Sequence, residues 1–128
     1  GFYKEKLVSI VKEGEKGQNE IKKIINGFRK KPLDYILGSR VKYFCDYSIS
    51  LKKNLISGVS EKISLPESNV IEFESVNGCK IILRPSGTEP KIKMYISINE
   101  ALNSINEFEK VDKILNDKIE RIIKSIGL

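Results

Sequence analysis

The sequence predicts an α+β domain of two layers, in which an antiparallel sheet of about four strands is backed by two helices. An Asn77-Gly78 dipeptide between two β-rich runs is the strongest sign of such a sheet, because Asn-Gly favours a tight β-hairpin. Two stretches with apolar residues at helical spacing flank this region. A length of 128 residues suits a single domain of ordinary size.

The composition is that of a globular protein, with 40% hydrophobic and 31% charged residues. No apolar run approaches the roughly 20 residues that span a bilayer, and no signal peptide is visible, so we expect a cytoplasmic protein without a membrane partner. Cys45 and Cys79 are far apart in the chain and are expected to be buried thiols. The absence of histidine removes the commonest general base, and no set of metal ligands is apparent.

Residues 1–17 are interpreted as an arm that joins a preceding domain to the domain proper, which is predicted to span residues 18–128. The apolar residues of the arm follow neither a helical period nor a strict alternation. The Glu-Gly-Glu-Lys-Gly run at 13–17 predicts a flexible polar link.

The first helix is predicted over residues 18–30, where one face carries Ile21, Ile24, Ile25 and Phe28. Pro32 should end it, because proline lacks a backbone N–H and restricts the residue before it. A strand is predicted next, over residues 41–49. Its alternation places one set of side chains on a common face: Val41, Tyr43, Cys45, Tyr47 and Ile49.

Residues 50–68 are polar and contain glycine and proline, so they are predicted to be mostly loop. The hairpin follows, with strands at 70–76 and 79–83 and a type I′ turn in which Asn77 and Gly78 both have positive φ. A further strand at 91–98 should direct four residues to one face: Ile92, Met94, Ile96 and Ile98.

A long amphipathic helix is predicted over residues 105–125. Ser104 and Glu107 have the spacing of a capping box, and Gly127 is a suitable stop. The apolar stripe of this helix consists of Phe108, Val111, Leu115, Ile119, Ile122 and Ile126.

The connection between the last two strands reads Arg84-Pro85-Ser86-Gly87-Thr88-Glu89-Pro90-Lys91-Ile92-Lys93. The two prolines stiffen it, and Arg84 offers a planar fork of donors suited to phosphate. Gly87 at positive φ would let successive N–H groups curl around an anion, while Ser86 and Thr88 add hydroxyl donors. A plain β-turn is the alternative interpretation. The Walker A spacing is absent, so the loop is not of that nucleotide-binding type.

This ten-residue motif, continuing into Met94-Tyr95, resembles the signature of the last domain of the α-D-phosphohexomutases, the family of phosphoglucomutase and phosphomannomutase. The segment from Gly1 through Gly17 is similar to the join between their third and fourth domains. The resemblance implies a fold like that of the TATA-box-binding protein, a likeness of fold alone. It also implies a loop that grips the phosphate not being transferred, with the following contacts: Arg84, Pro85, Ser86, Gly87, Thr88 and Lys93.

The resemblance further implies a parent isomerase that interconverts the 1- and 6-phosphates of a hexose, glucose or mannose, by intramolecular phosphotransfer. Such an enzyme uses a phosphoserine, Mg²⁺ and a hexose 1,6-bisphosphate activator, with its other three domains as partners of this one. The present chain lacks the catalytic serine in its helical setting, the aspartate-rich metal loop and the sugar-reading loop. We therefore expect no catalytic residue, no metal and no cofactor in this chain, and no turnover by the chain alone.

Two other functions are compatible with parts of the sequence. A formal net charge of +6 and scattered aromatic residues suit a nucleic-acid-binding module, but the basic-aromatic strand signature of an RNA-recognition sheet is absent. Tyr43 and Tyr47 are predicted to be core residues instead. The helix at 105–126 could serve oligomerisation, although packing on its own sheet is the favoured interpretation.

Overall fold

The computed structural model describes residues 2–12, 14–100, 113, 116–117 and 120–124. Helix α1 spans Gly14–Lys30, and the last described positions, from 113 onward, are helical. The strands are β1 (Phe2–Val11), β2 (Tyr35–Ile36), β3 (Ser39–Asp46), β4 (Leu51–Asn54), β5 (Ser60–Lys62), β6 (Ile71–Ser75), β7 (Lys80–Pro85) and β8 (Lys91–Glu100). The α+β class is thus confirmed. The predicted capping box at residues 104 and 107 and most of the C-terminal apolar stripe lie outside the described residues.

The described strands form one sheet of eight strands, where the sequence predicted about four. Its order is β1-β8-β7-β6-β3-β4-β5, with β2 paired to β3, and every pairing is antiparallel. Two of the additional strands, β4 and β5, lie in the segment predicted as loop. The side chains of β5 are polar and exposed, and those of β4 are mostly polar and half-buried, so backbone hydrogen bonds hold these strands and no apolar alternation marks them.

Strand β1 occupies most of the predicted arm and forms one edge of the sheet. It pairs with β8 over all ten of its residues. Val8 and Ile10 pack against the core, while Leu7 and Val11 are exposed on the other face, which obscures the alternation in the sequence. Residues 14–17 form the first turn of α1, so the predicted flexible link was wrong there. The assignment of residues 1–17 to a join between domains stays a prediction.

The core lies between the helices and one face of the sheet. The inward residues of β6, β7 and β8 alternate regularly: Ile71, Phe73, Ile81, Leu83, Ile92, Met94, Ile96 and Ile98. Ile21 and Ile25 of α1 and Ile122 of the C-terminal helical residues belong to the same buried cluster. Both helical parts therefore cover the same face, as predicted. No described helical residue lies on the opposite face, which we call the open face.

A β-bulge in β3 changes the predicted faces of that strand. The pairing with β6 shifts register between Val41 and Tyr43, so Val41 and Phe44 both point into the core. The predicted common face of Val41 through Ile49 was therefore wrong, and Ile49 is 61% exposed beyond the strand end. Cys45 is a buried free thiol, as predicted. Its burial, together with the charge of Glu72, raises the pKa of Cys45 to about 11.

The predicted hairpin is present, but its turn differs from the predicted type. The N–H of Gly78 donates to the carbonyl of Ser75 at 3.0 Å, and the N–H of Ser75 donates to the carbonyl of Cys79 at 2.9 Å. Gly78 has a φ of 87°, whereas Asn77 is not at positive φ. This is the three-residue loop with a glycine bulge, not a type I′ turn. The hydroxyl of Ser75 bonds the Asn77 side chain and holds this arrangement.

One partly buried ion pair joins α1 to the strands. The Nε atom of Arg29 lies 3.2 Å from a carboxylate oxygen of Asp46, at the end of β3. Arg29 also donates to the side chain of Asn69 at 2.6 Å, and Asp46 accepts from the hydroxyl of Ser48 at 2.6 Å. These bonds fix the helix relative to the segment that precedes β6.

The start of α1 packs closely against the end of β1. An ideal Cβ at Gly17 would overlap the backbone carbonyl of Lys12, whereas one at Gly27, in the same helix, would meet open space. Gly17→Ala is therefore expected to lower the free energy of unfolding by about 1–3 kcal/mol through overpacking. Gly27→Ala should raise it by about 0.5–1 kcal/mol, since alanine favours the helix. Urea denaturation would measure both, and a shift in the same direction for the two variants would contradict this packing.

Candidate functional site

The connection between β7 and β8 is a short loop with its own hydrogen bonds. Arg84 and Pro85 end β7, and Lys91 begins β8. The N–H of Ser86 donates to the carbonyl of Lys91, and the N–H of Lys91 donates to the carbonyl of Glu89, both at 2.8 Å. The two strands pair up to the loop, with Arg84 opposite Lys93. The loop is therefore a closed turn whose base carries two cations.

The side chain of Ser86 organises the inside of this loop. Its Oγ accepts hydrogen bonds from the N–H groups of Thr88, at 3.3 Å, and Glu89, at 3.2 Å. These two amides point to the hydroxyl, whose own O–H remains able to donate outward. Ser86 is therefore both a support of the loop and a candidate donor to a ligand.

Gly87 does not have the backbone conformation that the sequence suggested. Its φ is not positive, so the predicted left-handed anion nest was wrong. An ideal Cβ on Gly87 would meet nothing within 4 Å, and its N–H has no acceptor among the described residues. The amide of Gly87 is therefore open to a ligand from solvent, whereas the next two amides, of Thr88 and Glu89, are occupied by the Ser86 hydroxyl.

Two contacts from distant parts of the chain hold the loop in place. The N–H of Lys12, just after β1, donates to the carbonyl of Pro90 at 2.8 Å. The side-chain amide of Gln18, in α1, donates to the carbonyl of Thr88 at 3.3 Å. Neither residue has a sequence signature of this role, because the partners are about 70 or more residues apart. The β1–α1 connection thus positions the loop.

The loop borders a concavity of about 410 Å³ on the open face. The predicted residues that line it are Arg84, Pro85, Ser86, Gly87 and Lys93. Thr88, also predicted, does not line it. Lys91 lines the concavity too, because it is two residues before Lys93 on β8 and its side chain therefore lies on the same face. Glu89 also lines it. The described side chains place no carboxylate within ion-pair distance of Arg84, Lys91 or Lys93. These cations therefore give the concavity a positive potential suited to an anion.

The other side of the loop faces α1 across a smaller cleft, of about 160 Å³. Its walls combine three amide side chains, of Gln18, Asn26 and Asn69, with apolar residues of α1 and with Lys22. The guanidinium of Arg29, which also lines this cleft, is already paired with Asp46. Lys22 is the remaining cation of this cleft, whereas Arg84, Lys91 and Lys93 line the concavity on the open face, so more unpaired positive charge lies on the open face.

A divalent cation has no suitable ligand set in the part of the chain that the structure describes. No group of three or more Asp, Glu, Cys or His residues comes together there. The family resemblance implies Mg²⁺ for another domain of the full-length enzyme and not for this chain, so no step is assigned to a metal here. Among the described helices, none is long and apolar enough to cross a bilayer.

Curated proteins with similar sequences are phosphoglucomutases. The chain is 38% identical to the phosphoglucomutase of Staphylococcus saprophyticus over 114 residues, which are 89% of this chain and 19% of that protein. It is 40% identical to that of Staphylococcus haemolyticus over 88% of this chain and 20% of the relative. For Staphylococcus epidermidis the identity is 35% over 93% of this chain and 21% of the relative. No protein-family model matches the chain.

These matches confirm the resemblance that the 84–93 motif indicated. The chain spans only about one fifth of the length of these relatives, so it corresponds to one segment of them. On identities of 35–40% across nearly its whole length, the chain is a homologue of one segment of the phosphoglucomutases.

Proposed function

We propose that this chain is the phosphate-binding domain of a phosphohexomutase, and that it grips the non-transferred phosphate of a phosphorylated hexose. The observation that carries the proposal is the common concavity of Arg84, Ser86, Gly87 and Lys93, in which no described carboxylate pairs with the cations. An arginine fork beside a lysine suits a phosphate group, whose oxygens can accept several charged hydrogen bonds.

Each residue has a distinct part in holding the phosphate. Arg84 can donate two parallel hydrogen bonds to two phosphate oxygens, while Lys93 supplies a compact positive charge from the neighbouring strand. The hydroxyl of Ser86 and the N–H of Gly87 add neutral donors from the loop. Glu89 is repulsive to an anion, so we assign it no ligand role. Thr88 contributes through its backbone, which Ser86 and Gln18 hold.

A site of this kind suits a substrate that must bind in two orientations. The donors recognise a phosphate group and not the atom of the sugar to which it is attached, so a hexose 1-phosphate and a hexose 6-phosphate are equivalent to them. Binding energy at the remote phosphate then serves to orient the reacting end of the substrate. The residues of this chain bind and orient, and no covalent step is assigned to them.

The parent protein on this proposal is a cytoplasmic isomerase acting on glucose or mannose phosphates. Its other domains would supply the phosphoserine, the Mg²⁺ site and the sugar-reading loop, and a hexose 1,6-bisphosphate would activate it. The 128-residue chain should bind phosphosugars without turning them over. Conversion of glucose 1-phosphate by the purified chain would contradict this assignment.

An amide NMR titration tests the proposal directly. The chain would be titrated with glucose 1-phosphate, glucose 6-phosphate and sulfate, with uncharged glucose as the control at the same concentrations. We expect all three anions to shift the amides of residues 84–93, with an affinity of about millimolar for a single phosphate group. Shifts scattered over surface lysines, with the loop unaffected, would overturn the proposal.

A further inference from the structure

An apolar row lies directly beside the basic row on the open face. Tyr95 of β8 is opposite Leu7 of β1 on one side and Ile82 of β7 on the other. Leu7 is 54% exposed and Tyr95 is 40% exposed, while Ile82 is half-buried. Three neighbouring strands thus present a continuous apolar surface that no described helix covers.

This row is next to the proposed phosphate site in the direction of the strands. Tyr95 follows Lys93 by two residues, and Ile82 precedes Arg84 by two, so both side chains point to the same face as the cations. Two residues along a strand span about 7 Å. This is comparable to the distance from the phosphate group of a hexose phosphate to the far side of its sugar ring. The two rows are therefore adjacent parts of one surface.

A concavity of about 550 Å³ lies over the apolar row. Leu7, Ile82 and Tyr95 line it, and so do polar residues next to them, which we call the rim, among them Glu5, Glu72 and Lys80. A volume of this size is in the range of small-molecule sites, which combine apolar walls with a few polar groups. The arrangement differs from the phosphate concavity, which is lined mostly by charged and polar residues.

We propose that the hexose ring of the bound phosphosugar lies on Tyr95, with Leu7 and Ile82 on either side of it. This inference rests on the proposed phosphate site, because the phosphate held by Arg84 and Lys93 places the ring over the neighbouring row. One face of a pyranose ring carries mainly C–H groups and suits an aromatic surface, while the ring hydroxyls point to the rim. The carboxylates of Glu5 and Glu72 and the ammonium of Lys80 are positioned there as hydrogen-bond partners.

The consequence is that this domain contributes to recognition of the sugar, not only of its phosphate. Contact with an aromatic face depends on the shape of the ring more than on the position of the phosphate. The surface therefore suits both a 1-phosphate and a 6-phosphate and should favour a hexose phosphate over inorganic phosphate.

Comparison of two ligands in matched variants tests the inference. Calorimetry or NMR would give the affinities of glucose 6-phosphate and inorganic phosphate for the natural chain, Tyr95→Ala and Tyr95→Phe. We expect the natural chain to bind glucose 6-phosphate about three- to tenfold more tightly than inorganic phosphate, because the sugar adds roughly one stacked contact with an aromatic ring. Tyr95→Ala should abolish this preference without changing the affinity for inorganic phosphate, and Tyr95→Phe should retain it.

Methyl NMR gives an independent measurement that does not depend on a substitution. The methyl signals of Leu7 and Ile82 should shift with glucose 6-phosphate and not with inorganic phosphate. As a control for loss of aromatic surface elsewhere, Tyr35→Ala, at an exposed position of β2, should leave the preference intact. Thermal unfolding of each variant would verify that it is folded.

The outcomes separate this inference from the proposed function. If inorganic phosphate shifts the 84–93 amides but glucose 6-phosphate binds no more tightly and leaves the methyl signals unchanged, the sugar contact is overturned and the phosphate site stands. If neither anion shifts those amides, both are overturned. A preference for glucose 6-phosphate that survives in Tyr95→Ala would also overturn the role of Tyr95.

Discussion

Replacement of Arg84 with alanine is expected to weaken binding of inorganic phosphate and of glucose 6-phosphate by about tenfold or more. Among the described residues that line the concavity, only Arg84 has a side chain that can donate two parallel hydrogen bonds, and bonds between charged partners are the strong ones. A loss of about 1.4 kcal/mol in binding already corresponds to a factor of ten. Arg84→Lys should give an intermediate affinity, because it keeps the charge and loses the fork. The measurement is the dissociation constant from the amide titration.

Arg40→Ala is the matched control for this change. Arg40 is an exposed arginine on β3, and its carbonyl accepts from Val76 at the β6–β7 turn, which lies at the opposite end of β7 from the loop. Arg40→Ala removes the same charge from the chain as Arg84→Ala does, so any general effect of net charge would appear in both variants. Equal weakening in Arg40→Ala and Arg84→Ala would show that the anion responds to overall charge and not to this site.

Replacement of Phe73 with alanine is expected to lower the free energy of unfolding by about 3–5 kcal/mol. Phe73 is 0% exposed and lies at the centre of the core. Its ring contacts that of Phe28 in α1, edge to face with centroids 5.5 Å apart, and that of Phe44 in β3 at 5.2 Å. The substitution leaves a cavity between the helix and the sheet, which the surrounding strands can close only in part. Urea denaturation followed by circular dichroism would measure the loss.

Two variants bracket this result. Phe73→Leu retains most of the volume and should cost less than about 1.5 kcal/mol. Tyr35→Ala removes an aromatic side chain that is 62% exposed and should change stability by less than about 0.5 kcal/mol. A loss in Phe73→Ala no larger than that in Tyr35→Ala would contradict the central place of this ring in the core.

The sequence predicted the elements whose apolar pattern is local and regular. The faces predicted to be apolar are the buried faces in the structure, both in β6, β7 and β8 and in α1. Burial of one face of a strand or helix requires apolar residues at its own period. β1 was not predicted as a strand, because its exposed face carries Leu7 and Val11 beside the inward Val8 and Ile10. The faces of β3 were predicted wrongly because the bulge at Val41–Tyr43 inserts a residue that no sequence pattern indicates.

The turn between β6 and β7 shows a related limit. The Asn77-Gly78 pair predicted the hairpin correctly, but the bond between Ser75 and Asn77 selects a three-residue loop. Gly87 likewise has the sequence setting of an anion nest and a different backbone conformation. In both loops, side chains that are close in sequence compete with the backbone for hydrogen bonds, so composition indicates a turn without deciding its type.

By itself, the sequence determined the α+β class and the resemblance to the phosphohexomutases, and it indicated the loop in which we propose an anion site, because each depends on a contiguous motif or a short period. Only the tertiary structure decided which of the loop residues share a concavity, that Lys91 joins them and that Tyr95 is next to them on an uncovered face. These placements depend on strand register and on contacts from Lys12 and Gln18, about 70 or more residues away. Long-range pairing is the result of the whole chain folding together, and no local pattern encodes it.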